Sequence, residues 1–238
     1  MRVAILDLTT HQLPLLSGIH RAGKCIEDWI SRGLSNAKFE IFDIAGGMEK
    51  VPSMRNFDAL IVSGSERSVY DRVSWHVDVS NVLNETRKMG KPIFGICFGH
   101  QIMAATFGGD VRRSSRHDSV GVRKFVHRDG HAFNRFVWHH DQVIRPPDCA
   151  TLVASSDYCP LASIEYSFPA FSVQYHPEFT KEYFKKLLMA GEGIFLSSKQ
   201  TQRTLTEIKK DRVPRDADLK KVTELLSNNS QDRVRSVI

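Results

Sequence analysis

The stretch Lys91–Gln101, KPIFGICFGHQ, runs an apolar segment into a cysteine framed by two glycines and follows it with a histidine and a glutamine. Residues 93–96 have the length and composition of a buried strand, and HQIMAATFGG after them reads as a helix stopped by Gly108 and Gly109. Gly-x-Cys-x-Gly between a strand and a helix is the thiol form of a nucleophile elbow, a tight turn whose strained backbone needs small neighbours. Such a turn lifts its side chain clear of the sheet, and the amide dipoles of the following helix favour a thiolate there. A structural cysteine packed between glycines is the competing reading of these residues taken alone.

Outward from the elbow, strands and helices alternate. RVAILDL, KFEIFDI and FDALIVSG read as three further strands, and the segments 13–34 (LPLLSGIHRAGKCIEDWISRGL) and 77–90 (VDVSNVLNETRKMG) as helices between them. Alternation of this kind implies crossovers and a parallel sheet covered on both faces. After Asp110 the texture changes to short strands bounded by turn residues: VGVRKFVH, AFNRFVWHH, ATLVASS, ASIEYS and FSVQYH. The fold class is therefore α/β, an open and mostly parallel sheet flanked by helices, with added antiparallel strands. An amphipathic helix, KEYFKKLLMAGEGIFL, closes a domain spanning 1–196. Residues 197–238 read as a basic, polar, helical or partly disordered tail, split by Pro214 and frayed at SNNSQDRVRSVI.

Composition excludes several classes. At 238 residues and 41% hydrophobic, the chain can bury one good core. The apolar run in MRVAILDLTT is too short for a secretion signal, and no run reaches the length of a membrane span. Cys25, Cys97, Cys149 and Cys159 lack the spacing of a disulfide framework or of paired zinc ligands, so a cytoplasmic protein with reduced thiols is expected. The net charge is +6, and the segment 197–238 holds ten Lys and Arg against six Asp and Glu. Those charges alternate and no aromatics interleave them, which describes a solvated helical face rather than a nucleic-acid surface. No phosphate-cradling glycine pattern occurs, and SGSERS lacks the second glycine and the aspartate of a synthetase nucleotide loop. His139 and His140 are adjacent without a third ligand at sensible spacing, so neither a metal nor another cofactor is expected.

A thiol nucleophile needs a base, and the base an orienting group. FSVQYHPEF supplies both, His176 and Glu178, at the end of an apolar run with Pro177 stiffening the link. Residues i and i+2 of an extended strand share a face, so Glu178 can accept from one ring nitrogen while the other faces Cys97.

Together these motifs resemble the class I glutamine amidotransferases. GICFGHQ (95–101) is similar to that family's elbow and HPE (176–178) to its late triplet. DALIVSGSERSVYD (58–71) resembles its oxyanion strand and HHDQV (139–143) its His-x-Asp-x-Val segment. The resemblance covers about residues 1–196. It implies a flavodoxin-like fold and a Cys97–His176–Glu178 triad that cleaves the glutamine side-chain amide through a γ-glutamyl thioester. It also implies oxyanion donors from Phe98 and the Gly64–Ser65 turn, and a substrate mouth with Gln101, His139 and Asp141. Since no synthetase segment is recognisable here, ammonia would then pass to a separate synthetase, for which the basic tail is a docking candidate. A γ-glutamyl peptidase or hydrolase working without a partner is the alternative, and a non-catalytic binding protein of the same fold a third. Three departures bear on the pocket: GSER where many members carry Gly-Gly-Pro or Gly-Pro-Gly, Ser119 where a Glu often precedes the glycine matching Gly121, and the larger Trp138 and His140 beside His139.

Overall fold

Apolar runs buried on both faces form the centre of the sheet, and their register decides what lies at its edge. The computed structural model describes residues 1–10, 12–14, 18–71, 73–114, 119–210, 213 and 218–227. In chain order the elements of the first half are β1 (Arg2–Asp7), α1 (Ala22–Ile30), β2 (Lys38–Asp43), β3 (Ala59–Val62), α2 (Trp75–Lys88), β4 (Ile93–Ile96) and α3 (Phe98–Thr106). Then follow β5 (Asp110–Arg113), β6 (Val120–His127), β7 (Ala132–Trp138), β8 (Asp141–Arg145), β9 (Ala150–Ser155), β10 (Ser163–Tyr166) and β11 (Ala170–Val173). Three helices end the described chain: α4 (Lys181–Gly191), α5 (Ser198–Lys210) and α6 (Leu219–Ser227).

Nine strands make one sheet in the order β2-β1-β3-β4-β11-β10-β9-β6-β7, and β5 and β8 form a separate antiparallel pair. The first five strands of that order are parallel and the remainder antiparallel. This is the α/β sheet with antiparallel additions that the alternation of elements predicts. One face packs on α2 and α3 through Leu60, Val62, Val79, Leu83 and Ile102. The other packs on α1 and α6 through Ile26, Trp29, Phe94, Phe171 and Val222.

Register brings the site together. Val62 pairs with Gly95, and Gly95 with Ser172. Two residues further along each strand, at the carboxyl edge where open α/β sheets place their ligands, stand Gly64, Cys97 and Gln174.

Three local readings differ from the sequence expectation. The helix read over 13–34 is confined to Ala22–Ile30: Pro14 has no amide to donate, and Gly18 adopts φ 74°, a left-handed turn incompatible with helix. Residues 15–17 of that stretch lie outside the described residues. The strands β5 and β8 were not anticipated, because DVRR and DQVIR are too short and polar to show alternation. The run FSVQYH leaves the parallel ladder after Val173: the Gln174 amide turns to Ala162 O and the His176 amide to Phe136 O. Beyond 196, α5 buries Thr204 and Ile208, and α6 buries Val222 and Leu226. Asp218 accepts from the buried Arg135 Nε at 2.7 Å and from Tyr175 OH at 3.1 Å, which anchors the start of α6. The stretch SNNSQDRVRSVI lies outside the described residues apart from its first serine. Among the described residues no helix is long and apolar enough to cross a membrane.

Candidate active site

Cys97 is the N-cap residue of α3, with φ 53° and ψ −104°. It is the one non-glycine with positive φ among the described residues, and such strain is held only where surrounding structure enforces it. The enforcement comes from close backbone approach. A Cβ on Gly99 would lie 2.2 Å from Val62 O, and one on Gly95 would lie 2.8 Å from Gly99 O. Glycine at both places lets the first turn of α3 sit on the end of β3.

His176 and Glu178 follow β11. His176 Nδ1 lies 2.8 Å from Glu178 Oε1, which leaves Nε2 as the ring nitrogen available to Cys97. Both side chains are buried. Burial opposes the charged imidazole, but the charge of Glu178 and then that of Cys97 outweigh it and raise His176 to about 10. The proton therefore resides on the ring at neutral pH. The ring lies flat on Phe179, 4.1 Å between centroids.

Gly64 closes the triangle: a Cβ there would stand 3.3 Å from His176 Cε1 and 3.6 Å from Cys97 Cβ. The Gly99 amide donates to Ser63 O at 3.0 Å, whereas none of the backbone hydrogen bonds among the described residues engages the amide of Phe98 or of Ser65. The Phe98 ring itself packs in the core against Trp75 and His76, and Phe98 is not among the residues that line the cleft.

Cys97, His176, Glu178, Gly64, Ser65, Gln101, His139 and Asp141 line a single cleft of about 210 Å³. The last three are tied to one another. Gln101 Nε2 donates to Asp141 O at 2.8 Å, and His139 Nδ1 meets the same carbonyl at 2.9 Å. The Asp141 carboxylate accepts from Ser68 Oγ and, at 2.7 Å, from Tyr70 OH, bracing the loop after β3. Burial pushes His139 down to about 3, so its ring is neutral. The sequence reading did not single out two groups that hydrogen-bond the thiol, Trp138 O at 3.6 Å from Sγ and Gln174 Nε2 at 3.7 Å. Trp138, read from the sequence as a larger residue bearing on the pocket, is part of an apolar wall whose other members, Phe179, Tyr183, Leu187, Phe195 and Leu13, that reading did not foresee. Gln174 had a legible signal, since it stands two residues before His176 and shares its parity along the strand. The rest of the wall had none, because its members come from separate parts of the chain.

An open α/β sheet carrying a strained cysteine elbow beside an imidazole–carboxylate pair defines the class: thiol-bearing α/β domains of the nucleophile-elbow type. Within that class the chain belongs to the class-I glutamine amidotransferase family, whose model matches residues 22–194. Among curated relatives, γ-glutamyl peptidase 3 of Arabidopsis thaliana is 27% identical over 165 residues, covering 63% of this chain and 66% of that one. The glutamine-hydrolysing GMP synthase of Aeropyrum pernix is 36% identical over 126 residues, covering 50% of this chain. The chain spans just under two thirds of the first relative's length and 24% of the second's. Among solved structures, a glutamine amidotransferase from Methylobacillus flagellatus aligns with TM-score 0.73 at 17% identity, over 94% of this chain and 91% of that one. One from Thermotoga maritima aligns with TM-score 0.71 at 22% identity, over 94% of each. At these identities the structural matches establish the fold.

Proposed function

We propose that the chain is a γ-glutamyl hydrolase in which Cys97 attacks the side-chain carbonyl of a γ-glutamyl amide. The thiolate adds to the carbonyl carbon, and the oxyanion meets the amides of Phe98 and Ser65. His176, already protonated beside Glu178, gives its proton to the departing nitrogen as the C–N bond breaks. The resulting γ-glutamyl thioester is attacked by water, whose proton His176 takes, and the C–S bond then breaks to release glutamate. Gln101, His139 and Asp141 line the mouth and shape the seat of the amino-acid end. With its nitrogen engaged by Asp141 O, Gln101 keeps its side-chain oxygen for a substrate ammonium.

The observation that carries this reading is the stack of Phe179 on His176. The acid that protonates a leaving group stands beside it, so the wall continuing from Phe179 through Tyr183, Leu187 and Phe195 is the leaving-group side. Ammonia needs no apolar wall; an amine bearing an apolar side chain does. Similarity to γ-glutamyl peptidases supports the same reading. The second reading is a glutaminase that supplies ammonia to a separate synthetase, favoured by identities of 34–36% to GMP synthases over about half the chain.

Glutamate release separates the two. Purified protein is offered glutamine, γ-glutamylglycine and γ-glutamylphenylalanine, with Cys97→Ser as the blank. Fastest turnover of γ-glutamylphenylalanine is the expected result. Turnover of glutamine alone would transfer the assignment to the glutaminase, and turnover of none by the wild-type chain would remove both.

A further inference from the structure

Gln174 is fully buried, and its side-chain amide hydrogen-bonds the Cys97 sulfur. Which end of its amide faces that sulfur follows from the hydrogen-bond network. The carbonyl oxygen of Asp141 only accepts, so the group of Gln101 that meets it at 2.8 Å is the NH2. The same NH2 reaches Gln174 at 3.1 Å, so the atom of Gln174 found there must accept, and is Oε1. The remaining end, Nε2–H, is thereby aimed at Sγ, 3.7 Å away. Reversing the Gln174 amide would set two NH2 groups against each other. The backbone carbonyl of Asp141, two side chains removed, thus decides that the cysteine meets a donor.

A neutral thiol has Trp138 O as acceptor at 3.6 Å. A thiolate needs donors instead, and the amide of Gln174 is one that remains a donor at every pH, whereas His176 gives up its proton during turnover.

We propose that Gln174 is a further catalytic residue, whose side-chain amide, oriented by Gln101 and the Asp141 carbonyl, donates to the Cys97 sulfur and favours its thiolate. The inference rests on Cys97 being the nucleophile, as proposed above. The titratable groups whose charges act on the sulfur are His176, with Glu178 behind it, and Cys159 and Tyr158 from the β9–β10 connection; His139 and Asp141 line the same cleft. The variants below leave all of them in place.

The test is alkylation of Cys97 by iodoacetamide, read as the rate of modification of its peptide by mass spectrometry at pH 6 and pH 9. It needs no substrate. Gln174→Met keeps the volume and loses the donor, and is expected to slow alkylation about tenfold at pH 6 with little change at pH 9. Gln174→Glu, which sets a carboxylate against the sulfur, is expected to slow it further. Gln101→Met removes the group that orients Gln174 without touching the sulfur; it is expected to act in the same direction and decides the matter if the Gln174 variants fail to fold. A wild-type ratio of the two rates in the folded variants, whatever their melting temperature, overturns the proposal. Slow alkylation of Cys97 in the wild-type chain itself at pH 6 would instead overturn the assignment of the nucleophile.

Discussion

The imidazole of His176 lies on the ring of Phe179 with 4.1 Å between centroids and only 6° between planes. Phe179 in turn packs on Tyr183 and Phe184, so the ring proposed to move the proton is backed by the aromatic layer of α4. Phe179→Ala removes both the backing and the first part of the leaving-group wall. The kcat/KM for γ-glutamylphenylalanine is expected to fall about tenfold or more, and that for glutamine to fall less, because an apolar contact of this size contributes roughly 1–3 kcal/mol. Equal losses on both substrates would show that the stack only positions His176.

The backbone amide of Ser65, not its hydroxyl, is assigned to the oxyanion. Ser65→Ala retains that amide and is expected to keep kcat within about twofold. Ser65→Pro deletes it and is expected to cost about two to three orders of magnitude in kcat. A thermal melt of both variants separates loss of the donor from loss of the fold.

Stability should peak near pH 6.5 on the histidines of the core. Burial pushes His100 and His139 down to about 3. Between about 6.5 and 3 the unfolded chain takes up protons there that the folded chain refuses, so stability falls as the solution is acidified. His176 works in the opposite sense. Raised to about 10, it contributes fully below about 6.5, and that contribution is lost as pH rises through about 10. Melting temperatures recorded from pH 4 to 10 check both limbs; a flat profile between pH 4 and 6.5 would contradict neutral imidazoles at His100 and His139.

Gly99→Ala sets a methyl group 2.2 Å from Val62 O, on backbone that cannot step aside. A loss of about 1–3 kcal/mol is expected, seen as a melting temperature lower by several degrees, with iodoacetamide reactivity of Cys97 falling alongside.

Much of this molecule is legible in its sequence. The alternation of apolar runs with amphipathic ones predicts the parallel strands β1 to β4 and the helices α2 and α3, because periodicity reports which faces are buried. The elbow is legible at Gly95, Cys97 and Gly99, since only glycine permits so close a passage of α3 over β3. The pair His176 and Glu178 is legible from spacing, although the chain there has already left the ladder and the two meet through a turn around Pro177. The short strands β5 and β8 and the late start of α1 were not legible, for want of enough residues to show a period or because one glycine reverses the chain.

What the sequence alone determined, then, is which chemistry is present and in what order: a thiol in a strained turn, an imidazole with its carboxylate, an α/β framework to carry them. Tertiary structure decided their meeting and their surroundings. Parallel register across β3, β4 and β11 sets Gly64, Cys97 and Gln174 at one level, although they lie far apart in the chain. The direction of the Gln174 amide depends on a carbonyl of Asp141, and the apolar wall of the cleft on side chains gathered from β7, α4 and the segments near Leu13 and Phe195. Such relations belong to distances between non-adjacent residues, which folding sets by packing and register and which no local pattern encodes.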